Sequence, residues 1–211
     1  MPVLKSCAHY AATSTRRNNL TASKFSLTKS FFAFITQESM KNFTTEILPE
    51  KFSGSFTVRR LNKADVKDIY SLCASNPAYY KHINDDVSTE KILRDLKRLP
   101  SGKKKSDKFF VGYFRDEMLV AVLDLIIGWP DERTAHIGLF MVRKNFQNIG
   151  AGRTIINELC RYLKDKYPVL RLGYAKSNDE SKKFWLKNGF SATGEEKTVG
   201  SFTAVIMIKQ L

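Results

Sequence analysis

The sequence predicts an α/β protein: a mixed, mostly antiparallel central sheet flanked by helices. Three observations carry this reading. Strand-like segments follow one another with short turns between them, as in a meander. The chain then switches to helix, strand, helix, strand, an order that places helices on the faces of a sheet. At 211 residues and 43% hydrophobic, the chain is long enough to bury one ordinary core.

The elements follow in order. Residues 1–39 stand apart, Ser/Thr-rich, with five Lys/Arg and one acid. They resemble a transit peptide in composition, a disordered tail, or sequence upstream of a true start at Met40. The division expected is therefore an N-terminal extension, 1–39, disordered or non-native, and one domain, 40–211. Ser55–Leu61 reads as a strand. Ala64–Ala74 carries Val66, Ile69, Tyr70 and Cys73 at helical spacing. Ser88 caps a second helix with acids early, bases late and Pro100 at its end. Phe109–Phe114 and Met118–Ile127 form a hairpin around Arg115–Glu117, and GWPDERT turns the chain into Ala135–Val142. A long helix to about Lys166 bears a stripe of Ile155, Ile156, Leu159, Cys160 and Leu163. Val169–Ala175 is a strand, Asp179–Asn188 a helix closed by Gly189, and Thr203–Lys209 a last strand.

Composition narrows the function. The net charge is +14, and +10 remains without the first 39 residues. That favours polyanionic partners: nucleic acid, an anionic membrane surface or a phosphorylated small molecule; a solvated basic surface is the plain alternative. Lys103–Lys105 is short and lacks interleaved aromatics, and no helix shows a basic reading stripe, so nucleic acid is not expected. No apolar run approaches about 18 residues, so no membrane span is expected. Cys7, Cys73 and Cys160 are odd in number and widely spaced. They point to a reducing, cytoplasmic setting, with no disulfide framework and no metal site.

The most informative stretch is Phe146–Arg153, FQNIGAGR, between a strand and a helix. A nucleoside-triphosphate loop needs Lys-Ser/Thr after its glycine, which is missing. A dinucleotide fingerprint needs a third glycine where Ile155 stands, in a parallel unit. A third pattern, Q/R-x-x-G-x-G/A, is met by Gln147, Gly150 and Gly152 after Val142. Backbone N–H groups from Asn148 through Ile149, Gly150, Ala151 and Gly152 to Arg153 then converge on a pyrophosphate at a helix start, with the Arg153 and Gln147 side chains as further donors. A glycine-rich turn packing a helix on a sheet is the alternative.

About 25 residues on comes Asn178-Asp-Glu-Ser181-Lys-Lys-Phe184-Trp185-Leu-Lys-Asn-Gly189-Phe190. With both blocks in view, Ser55–Leu211 resembles the GNAT superfamily of acetyl-CoA-dependent N-acetyltransferases. VRKNFQNIGAG is similar to its acetyl-CoA-binding motif, and NDESKKFWLKNGF to the motif N-x-x-A-x-x-F-Y-x-x-x-G-F. The resemblance implies a GNAT-like fold and acetyl-CoA as co-substrate. The pantetheine arm would lie between Ala135–Val142 and Val169–Ala175, which splay at a bulge. The backbones of Phe140, Met141 and Val142 would bond it, one N–H serving as an oxyanion hole. Asn178, Ser181, Phe184 and Trp185 complete the expected site.

Trp185 departs from the motif. Most members place tyrosine there as the acid for the departing thiolate, and an indole N–H does not titrate usefully. Water or Tyr174 would supply that proton. His136 is the candidate base, since regular alternation would put it on one side of the sheet with Gly138, Phe140 and Val142; Asp124, Glu132 and a water chain compete. The activity implied is direct attack on acetyl-CoA by a primary amine of a small molecule or peptide. Cys160, on an apolar stripe, is a poor nucleophile. Tyr79, Tyr80, His82, Asp85 and Asp86 are guesses for receiving a cationic amine. A non-catalytic acyl-CoA sensor is the alternative, and a homodimer is left open.

Overall fold

The computed structural model describes residues 46–211. The extension 1–39, Cys7 and a start at Met40 lie outside the described residues. Seven strands form one sheet: β1 (Thr57–Arg60), β2 (Lys108–Arg115), β3 (Met118–Ile127), β4 (Thr134–Val142), β5 (Val169–Ala175), β6 (Ser191–Val199) and β7 (Phe202–Gln210). Their spatial order is β1-β2-β3-β4-β5-β7-β6. Every neighbouring pair is antiparallel except β4 with β5. The mixed, mostly antiparallel sheet is as the sequence predicts.

Among the described residues five α-helices accompany it: α1 (Val66–Ala74), α2 (Pro77–His82), α3 (Thr89–Asp95), α4 (Ala151–Leu163) and α5 (Asp179–Lys187). Local chemistry sets their ends. The Ser88 hydroxyl accepts from the Lys91 N–H and starts α3. The Asn178 side chain does the same for α5 from the Ser181 N–H. Gly189, at φ +82°, ends α5 in a left-handed turn. α4 stops at Leu163 rather than near Lys166, because the Lys166 and Tyr167 N–H groups both turn onto the Leu163 carbonyl ahead of Pro168. Among the described residues no helix is long and apolar enough to cross a membrane.

Two elements escape the sequence pattern. β6 is exposed along most of its length and reads SATGEEKTV, with no apolar alternation; its pairing to β7 is broken between Ala192 and Glu196. An edge strand needs little apolar content because one side of it faces water. α2 is six residues long, too short for periodicity to register.

The decisive irregularity is in β4. Ile137 pairs with Leu125 and Leu139 with Asp124, so Gly138 is an extra residue, a bulge. It reverses the alternation. His136, Leu139 and Met141 share the face of Ile126, Asp124 and Val122; Phe140 and Val142 share the other face with Leu123 and Ala121. On the first face, Ile69, Leu72 and Cys73 of α1 and Ile92 of α3 pack on Phe110, Val122 and Met141. On the second face α4 meets the sheet: its Gly152 lies against Val142, and Tyr162 joins the Phe52 ring, which packs on Phe109.

Candidate active site

β4 and β5 pair only from Thr134–Val169 to Ile137–Leu172. Beyond the bulge the strands part, while β5 goes on pairing with β7 through Ala175. The edge of β4 from Phe140 to Val142 is left facing a cleft of about 320 Å³. Alternation decides which groups face it. The Arg143 N–H bonds to the Val120 carbonyl on β3, so Met141 also turns its backbone to β3, and Phe140 and Val142 turn theirs to the cleft. The Val142 carbonyl is already occupied: it accepts from Asn76 Nδ2 at 3.2 Å and Gln147 Nε2 at 2.9 Å. Of the three expected backbones, Phe140 therefore offers N–H and carbonyl, Val142 its N–H, and Met141 neither.

The loop after β4 divides its labour. Asn148, at φ +61°, and Gly150, at φ +92°, take left-handed conformations that turn the chain into α4. No described atom lies within 4 Å of a Cβ built on Gly150, which leaves the backbone open to close approach. Gly152 is a packing glycine: its Cβ would meet the Phe184 ring at 3.2 Å and Val142 Cγ2 at 3.4 Å. The first-turn N–H groups of α4 have no intrahelical acceptors and carry the positive end of the helix dipole. Ile149 and Arg153 are exposed and Ala151 is buried, so Ala151 contributes its N–H alone. The Gln147 amide is not a phosphate donor, since its Nε2 bonds to Asn76 Oδ1 at 2.6 Å and to Val142. Lys144 and Gln147 line the cleft with Asn148 and Gly152.

α5 supplies the far wall through Asn178, Ser181, Phe184 and Trp185. Phe140 stacks on Phe184 at 6.0 Å and meets Trp185 at 5.9 Å. Trp185 is 6% exposed and also packs on Phe190. A smaller cavity, about 60 Å³, continues through the parted strands. Phe140, Trp185 and Tyr174 line it together with Tyr79, Ile83 and Leu139, which brings the cleft to the α1 face. Burial first, then the carboxylates of Asp179 and Glu196, push the Tyr174 phenol above its usual range, against a smaller opposing pull from Lys176.

His136 stands apart from this group, on the opposite face from Phe140, and lines neither cavity. The same-side expectation fails because the bulge shifts its alternation. The ring lies at the edge of Trp129, centroids 4.7 Å apart, with Nδ1 3.2 Å from Arg171 Nη1. Arginine can only donate, so Nδ1 accepts and the ring proton sits on Nε2. Burial, then the charges of Arg171 and Lys197, hold its pKa well below 6.5. Asp124, the first competitor, is fully buried with both oxygens 2.7 Å from Lys108 Nζ. Glu132 is exposed in the turn. Burial raises the Cys160 thiol, in keeping with an inert cysteine. Among the described residues no group of three His, Cys, Asp or Glu is arranged to hold a metal ion.

Sequence reasoning missed Ser75 and Asn76. Asn76 clamps the Val142 carbonyl and Gln147, and the Ser75 hydroxyl accepts from the Lys144 N–H. The Asn-Pro pair marks a turn into a short helix, but partners some 70 residues away leave no trace in the local pattern.

Residues 66–190 match the acetyltransferase (GNAT) family. No curated protein matches the chain. Among solved structures, an acetyltransferase from Thermus thermophilus superposes with a TM-score of 0.62 at 21% identity, over 74% of this chain and 97% of that one. The PaiA N-acetyltransferase of Thermoplasma acidophilum, solved with coenzyme A, gives 0.56 at 24% identity, over 74% and 99%. A Salmonella typhimurium acetyltransferase that modifies the N-terminal serine of ribosomal protein L7/L12 gives 0.61 at 16%, over 76% and 97%. At these identities the likeness speaks for the fold alone.

Proposed function

This chain belongs to the GNAT acetyltransferase family, and from that premise we propose that it transfers an acetyl group from acetyl-CoA directly to a primary amine of a small molecule or peptide. The carrying observation is the parting of β4 from β5 after Ile137, with a cleft that runs on through the sheet. An amide-bearing arm laid there would find the Phe140 N–H and carbonyl and the Val142 N–H along the open edge. The α4 N-terminus beside Gly150 suits the pyrophosphate. The Asn178 oxygen caps α5, which leaves its amide N–H groups for the co-substrate, and Phe184 and Trp185 close the apolar side.

Acetyl-CoA supplies an activated acetyl thioester. The chain's part is to orient it and to manage charge and protons. The amine enters from the α1 face past Tyr79 and Leu139, and its nitrogen bonds the acetyl carbon as the C–S bond breaks. A backbone N–H on the β4 edge holds the oxygen as negative charge develops. Tyr174 lines the same cavity and stays protonated at neutral pH, so it can give its proton to the departing sulfur and recover one from water. With the Nδ1 of His136 committed to Arg171 and Asp124 committed to Lys108, water takes the proton of the amine. No acyl-enzyme forms.

The binding half of this reading is tested by titrating coenzyme A into the wild type and Gly150→Asp. The substitution puts a carboxylate where the pyrophosphate is placed. Loss of binding with unchanged circular dichroism is expected; equal affinity would refute the placement. The sensor reading keeps a specific footing in Trp185, and thiol release separates it from catalysis.

A further inference from the structure

Away from the parted strands, the described surface holds another cleft. It is about 350 Å³, between the end of β1, the C-terminal side of α3 and the start of β2. It shares no lining residue with the cleft or the cavity at the parted strands. Its size falls in the range of small-molecule sites, roughly 300–1,000 Å³.

The lining has two chemistries. Leu61, Leu93, Leu96, Leu99 and Phe110 make an apolar trough, and Leu93 remains 37% exposed. Lys63, Lys97 and Lys105 stand around it, all exposed. Among the described residues no carboxylate pairs with any of these three, although eight other basic side chains are in ion pairs. No acidic residue lines the cleft. The other two cations in the wall are spoken for. Lys108 is buried with its ammonium on Asp124. Arg60 lays its guanidinium 4.1 Å over Phe109 and donates to the Lys108 carbonyl.

A trough that is apolar within and cationic around is complementary to a ligand with an apolar chain and one anionic head. The chain removes leucine surface from water, and the head meets lysines that have no carboxylate of their own. Three like charges without counter-charge repel one another, and an anion relieves that repulsion. A neutral apolar ligand would leave it, and a cationic one would add to it. We propose that this cleft binds a small amphipathic anion, a medium-chain carboxylate.

The test is calorimetric titration of the full chain with decanoate. Decyltrimethylammonium keeps the chain with the opposite charge, and acetate keeps the charge without the chain. The informative variant is the triple Lys63→Glu, Lys97→Glu, Lys105→Glu, on exposed positions. Decanoate is expected to bind the wild type, with and without saturating coenzyme A, and to bind the variant at least about tenfold more weakly, while coenzyme A binds both alike. Equal affinity for decyltrimethylammonium, displacement of decanoate by coenzyme A, or an unaffected variant would each overturn the proposal. Binding of an acidic amphipathic peptide in place of decanoate would also overturn it, in favour of a protein partner.

Discussion

Replacing His136 by glutamine isolates what one buried imidazole does to the molecule. In the folded chain its pKa lies well below 6.5, held down by burial and by Arg171; unfolded, it returns to about 6.5. Between those values the unfolded chain binds the extra proton, so stability falls as pH drops below about 6.5, by up to about 1.4 kcal/mol per pH unit. Urea midpoints of His136→Gln from pH 7.5 to 5 are expected to follow a shallower pH slope than the wild type. A pH–rate profile in which glutamine abolishes an acid-side inflection would restore His136 as the base. At the same scale, Asn76→Ala strips the Val142 carbonyl of one of its two donors and the Gln147 amide of one of its two acceptors. A loss of about 1–3 kcal/mol is expected by chemical denaturation, with weaker coenzyme A binding because the loop is no longer clamped. Residue roles were legible where they depend on local chain geometry. The turn at Gly150 could be read from its place between strand and helix, whereas Asn178 entered through the family resemblance. The orientations of His136, Met141 and Gln147 could not, because each depends on a bulge, a register or a partner far away in sequence.

At the scale of elements, glycines mark two special points of the sheet, one an irregular register and one a crowded contact. Gly138 is the unpaired residue that turns β4 over. Gly112 of β2 sits where a Cβ would come within 2.6 Å of Leu119, 2.8 Å of Phe114 and 2.9 Å of Leu61. All three are side chains of the buried core, so they can yield only by repacking. Gly112→Ala is expected to cost about 1–3 kcal/mol, read as a lower midpoint with an unchanged m-value. The helix α4, with its apolar stripe, and the strand β3, a nearly continuous apolar run bounded by turns, were readable nearly to their ends. β6 was not, because an edge strand exposed along most of its length has no reason to alternate. α2 was not, because six residues make too few turns to show a stripe. The parting of β4 and β5 had no signature in residue pattern at all. It entered through the family resemblance, and Gly138 alone does not announce it.

For the whole molecule, the central claim is that the cleft between β4 and β5 holds acetyl-CoA for transfer to an amine. Ligand linkage gives one consequence: coenzyme A at about a hundred times its dissociation constant adds about 2.7 kcal/mol to stability, a melting-temperature rise of roughly 5–10 °C for a chain of this size. Gly150→Asp should lose that rise. Transfer itself is tested most directly by free thiol released from acetyl-CoA across a panel of primary amines and N-terminal peptides. Release that requires protein and amine together, yields the acetylated amine in equal amount, and disappears in Gly150→Asp is the result expected. Acetyl-CoA bound in the cleft with no amine-dependent thiol from any member of the panel would contradict the claim and leave an acyl-CoA sensor.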